Sequence, residues 1–146
     1  MKDESTNTNS NTNNTSAIPQ DVQKQFLLEE LELVNLEIFA TLLFILSSYY
    51  YLEASLIGKT IVLDKLNDIP DDLDPVALID AGEIFSIEGL LIFTIISYRR
   101  SALEMRRNNP NLDIFNEIST SYMVTLSAAL VRVSDRAVLR NVIPDF

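Results

Sequence analysis

Glu53 and Glu88 are the acids that stand on the apolar side of their helical stretches. Two carboxylates brought together in low dielectric would have one pKa raised, and could share a proton or hold a cation. Helical carboxylate metal sites usually draw on a Glu-x-x-His pair as well, and this chain has no histidine. No metal and no cofactor are therefore assigned. The plain alternative is that each glutamate reaches the helix surface or meets a neighbouring charge.

A second constellation is basic. Arg99, Arg100, Arg106 and Arg107 end one long apolar segment. Guanidinium groups suit phosphates of lipid head groups or RNA, and equally suit nearby acids and the last turn of a helix. Tyr49, Tyr50 and Tyr51 spread three rings around about half of a helix, either as core with hydroxyls at its edge or as a membrane-interface belt.

Most other chemistry is missing. With no cysteine and no histidine there is no disulfide, no thiolate nucleophile and no Ser-His or Cys-His device. Three glycines leave no phosphate-cradling loop. Eleven basic against twenty-one acidic residues give a net charge of −10, which argues against nucleic acid as a partner. The reading is a non-enzyme.

The elements behind these residues are helical. Residues 1–18 read as a disordered tail, because Ser5 to Ser16 is entirely Ser, Thr and Asn and offers no apolar surface to offset ordering entropy. Residues 19–146 read as one helical domain, since 146 residues suit a single core. Helix starts near Asp21, and Leu27, Leu31, Val34, Ile38, Leu42, Ile45, Tyr49, Leu52 and Leu56 recur every three or four positions. Residues 58–75, with Gly58 and Pro70, read as the connection. Asp74-Pro75 restarts a helix that runs to about Arg107, and Asn111 caps a third that ends near Arg140. The fold class is all-α: a long antiparallel hairpin plus a third amphipathic helix, a three-helix bundle that oligomerisation could complete.

Folding the first two helices on each other about the acidic connection sets the arginines beside acids. Arg106 and Arg107 fall level with Glu30 and Glu32, and Arg99 and Arg100 with Glu37. Exposed pairs of this kind specify register more than they stabilise. The same alignment brings Glu53 and Glu88 to similar height. The expected core is Ile38, Leu42, Ile45, Tyr49, Leu52, Ile84, Leu91, Ile95, Leu126 and Val133. Each long helix also carries a thin polar stripe: Glu30, Glu37, Thr41, Ser48 and Ser55 on the first, and Glu83, Ser86, Thr94, Ser97 and Ser101 on the second.

Two functions follow from so much apolar surface. The first is a cytoplasmic interaction or structural module that self-associates or docks a helical partner. The second is a small membrane protein with a hairpin over about 38–58 and 79–98. Nine of the eleven basic residues flank the outside of that hairpin, which places both termini in the cytoplasm.

Overall fold

The computed structural model describes residues 19–70 and 72–142, and the expected tail lies outside them. Three helices follow one another: α1 (Gln20–Leu66), α2 (Val76–Arg106) and α3 (Leu112–Val142). The fold is all-α. α2 packs against both neighbours and separates them, so α1 and α3 lie on different faces of one central rod.

α1 does not break at Gly58. A glycine inside a helix costs roughly 1 kcal/mol against alanine, and the eight residues after it tolerate helix, so the rod continues to Leu66. The stop comes where the chain can reverse its handedness. Asp68 adopts φ 56°, and the Ile69 amide reaches back to the Asp64 carbonyl at 2.9 Å. α2 ends by the same device, with Asn108 at φ 53° and the Asn109 amide on the Glu104 carbonyl at 3.1 Å. In both, a left-handed Asp or Asn fills the place usually held by glycine. At the start of α2, the Asp74 carboxylate accepts the Val76 amide at 2.8 Å. At the start of α1, Asp21 lies within the first turn and Pro19 takes the cap position.

The packing inverts the expected core. Ile38, Leu42, Ile45, Tyr49, Leu52, Ile84, Leu91 and Ile95 are 46–61% exposed, while Leu126 and Val133 are half-buried. Buried instead on α1 are Leu33, Ala40, Ser47 and Ala54, each seven residues after the last. On α2, Gly82, Gly89, Ile96 and Leu103 are buried at the same interval, and so are Glu83, Leu90, Ser97 and Glu104. A seven-residue interval keeps one seam facing a neighbour over many turns. Size decides how close the seam is: at Ala40, Ser47, Gly82 and Gly89 small residues let the helix backbones approach, and Leu33, Ile96 and Leu103 fill it elsewhere.

That approach is close. A side chain placed on Gly89 would begin 3.1 Å from the Phe44 ring and 3.3 Å from the Ala40 carbonyl oxygen. One on Gly82 would begin 3.3 Å from the Ser47 carbonyl oxygen. Above this contact a ring column crosses all three helices. Phe93 tilts against Phe44 at 5.8 Å on one side and stacks on Tyr122 at 5.5 Å on the other.

Candidate functional site

The helices carry a largely uncharged girdle whose stretches overlap only in part, since Ser47 stands against Gly82 and Ala40 against Gly89. It comprises residues 38–52 of α1, 118–131 of α3, and 84–98 of α2 with Glu88 as its single charge. Each stretch is about 15 residues, or roughly 22 Å at 1.5 Å per residue. The Phe44, Phe93 and Tyr122 rings mark its middle.

An ionic collar closes one end. Arg99 meets Glu32 at 2.8 Å, and Arg100 meets both Glu37 at 2.6 Å and Glu30 at 3.3 Å. Arg107 sits 4.0 Å from Glu30 and 2.6 Å from Glu104, with its guanidinium over the Phe26 ring. Arg106 pairs with Glu29, which sequence reasoning missed although it stands one position before Glu30. The hydrogen bond from Arg106 holds the Glu29 carboxyl below its ordinary value, and the bond from Arg99 does the same for Glu32.

A second collar closes the other end, and nothing in the sequence reading named it. α3 runs antiparallel to α2, so its last turns come level with the first turns of α2. Arg140 grips both oxygens of Asp80, at 2.7 and 2.5 Å. Arg136 lies 2.7 Å from Glu83, and Arg132 lies 3.9 Å from it. Glu83 is buried, its side chain only 4% exposed. The available signal was the four-residue spacing of Arg132, Arg136 and Arg140, which puts three cations on one helical face.

This collar also removes the charge asymmetry. Arg132, Arg136 and Arg140 join Lys59 and Lys65 at the α1–α2 connection end, against Lys24, Arg99, Arg100, Arg106 and Arg107 at the other. Among the described residues the balance is five to five. The basis for placing both termini in the cytoplasm is gone.

Glu53 and Glu88 are not brought together. Gly82 sits against Ser47 and Gly89 against Ala40, so Glu88 falls level with Thr41 and Glu53 with Val76, about three turns away. Glu53 instead accepts the Tyr49 hydroxyl one turn earlier, and Glu88 is exposed. The tyrosine run divides: Tyr50 stacks on Phe85 at 5.6 Å, Tyr51 lies over Gly82, and Tyr49 faces outward. Among the described residues no group of three or more acids could hold a metal ion.

Several hydroxyls on or beside the girdle's outer surface bond within their own helices. Thr41 donates to the Glu37 carbonyl, Ser48 to Phe44 and Ser55 to Tyr51, each at 2.8 Å. On α3, Thr120, Thr125 and Ser127 donate to the carbonyls one turn back at 2.8–2.9 Å. A polar stripe satisfied in this way asks little of water. Ser47 turns inward and donates to the Gly82 carbonyl of α2 at 2.7 Å.

Comparison of the chain with protein-family models, curated proteins and solved structures finds no match in any of the three.

Proposed function

We propose that this chain is a non-enzymatic structural module of a membrane, with the girdle as its lipid-facing belt and the two collars at the bilayer surfaces. The observation that carries this reading is the outer surface: large aliphatic side chains of all three helices stay exposed, while the inside holds small residues and hydroxyls with a few leucines and Ile96. Water would penalise that outer surface, whereas lipid tails would not. α1 is the one described helix that is both long and apolar enough to cross a membrane, and only 22% of its crossing stretch is buried against the rest of the chain. Glu83 would enter such an environment already paired with Arg136, which is how buried charges are tolerated. Because α3 reverses beside α2, the start of α1 and the end of α3 lie at opposite ends of the stack. With all three helices embedded, the two termini would face opposite sides.

Fractionation of cells expressing the full chain tests this. The expected result is pelleting with membranes, resistance to alkaline carbonate and release by detergent. A tag on one terminus should be reached by protease in sealed vesicles, and a tag on the other should be protected.

A soluble oligomer is the second reading, and two observations favour it. Glu88 is exposed within the girdle, and about 15 uncharged residues fall short of the roughly 20 that span a hydrocarbon core. Recovery in the high-speed supernatant, eluting larger than a monomer without detergent, would replace the membrane reading with this one.

A further inference from the structure

α1 carries a second seam on the face turned away from α2. Leu28, Leu31, Asn35, Ile38, Leu42, Ile45, Tyr49, Leu52 and Leu56 alternate at intervals of three and four, the a and d positions of four successive heptads. Its eight apolar members are each 54–61% exposed. The seam covers about 42 Å of helix. The residues that face α2, among them Leu33, Ala40, Ser47 and Ala54, occupy the heptad positions opposite, so both faces can be covered at once without conflict.

We propose that the occupant of this face is a second copy of the chain, lying parallel, so that two α1 helices form the centre of a dimer. Three observations select that partner. The first is self-complementarity at Asn35, the one polar member of the seam. Two parallel copies set Asn35 beside Asn35, where each amide finds its match, whereas an antiparallel overlap sets it against an aliphatic side chain. The second is the flanks. Thr41, Ser48 and Ser55 border the seam on one side and Glu32, Phe39, Leu46 and Glu53 on the other; in a parallel pair these two glutamates face Leu27 and Ser48 of the second copy, so no like charges oppose each other. The third is extent: eight side chains, each more than half exposed, offer on the order of 800 Å² per copy, the size of a standard interface. In water the drive is burial of the seam's apolar side chains, and in lipid it is helix packing with the Asn35 pair.

The chain has no cysteine, so single cysteines report the contact directly. Ile38→Cys, Leu42→Cys, Ile45→Cys and Leu52→Cys are each made in the full chain, at exposed positions that leave the α1–α2 interface intact. Each is oxidised with copper phenanthroline in whichever fraction holds the protein. In a parallel dimer every seam position faces its own copy closely enough for a disulfide. All four should give about tenfold more linked dimer than Thr125→Cys, an exposed control on α3. Linking at one seam position alone would show an antiparallel crossing and overturn the arrangement. Linking at none above the control would overturn the dimer, and neither result alters the fractionation outcome.

Discussion

Ser47 donates its hydroxyl to the main-chain carbonyl of Gly82 at 2.7 Å, joining α1 to α2 at a point of close backbone approach. The bond is possible because Gly82 has no side chain to hold the helices apart. Ser47→Ala should therefore lower stability by about 1 kcal/mol, the usual net contribution of such a bond. Thermal or SDS denaturation followed by circular dichroism measures it. A neutral result would mean that close packing alone joins the rods.

The glycines should respond in opposite directions. Gly89→Val forces atoms into a space bounded by the Phe44 ring and the Ala40 carbonyl, with an expected loss of about 1–3 kcal/mol. Nothing lies within 4 Å of a side chain placed on Gly58, and α1 runs straight through it. Gly58→Ala should raise stability by about 0.5–1 kcal/mol. Equal effects at the two positions would contradict the described interface.

Glu83 and Arg136 form the pair with the most to lose. Arg136→Ala leaves a buried carboxylate without its nearest cation, and the expected loss is about 3 kcal/mol. Arg132→Ala removes a more distant and more exposed group, and should cost under about 1 kcal/mol. Replacing Glu83 and Arg136 together by leucine should recover most of the first loss, since an apolar pair needs no partner. A double-mutant cycle of denaturation curves separates these terms.

The first collar should weaken in acid. Glu29 and Glu32 titrate below the ordinary 4.5 in the folded chain, held down by hydrogen bonds from Arg106 and Arg99. A depressed folded pKa contributes stability that is complete above the unfolded value and is lost as the pH falls through the folded one. Stability should thus be level from neutral down to about pH 5 and decline below it. Glu29→Gln with Glu32→Gln should flatten that decline without changing the neutral plateau's shape. A decline that persists unchanged would assign it to other carboxylates.

The sequence showed the helices and one collar, and it did so for a physical reason. Periodicity reports that Ile38, Leu42 and Ile45 share a face, and opposite charges report that Arg99 and Arg100 belong near Glu37, which holds for Arg100, while Arg99 pairs with Glu32 instead. Periodicity does not report which face is inside when both faces of α1 are apolar. The discriminating feature was bulk: Ala40, Ser47 and Ala54 recur at seven, as do Gly82 and Gly89, and that interval marks the line where two backbones can touch. The break expected at Gly58 failed because an isolated glycine weakens a helix without ending it. The Glu53–Glu88 alignment failed because the hairpin is not symmetric about its connection: α1 overshoots the start of α2, so Ser47 stands against Gly82 and Glu53 falls level with Val76.

The unbroken α1 has one more consequence. Its level with α2 runs out near Glu53, where Val76 begins, yet the helix continues through thirteen further positions to Leu66. At 1.5 Å per position that is a mast of about 20 Å, and the connection to α2 must descend alongside it. Whatever medium surrounds the girdle, the acidic tip at Asp68 is therefore carried well clear of it, like a pennant above a deck.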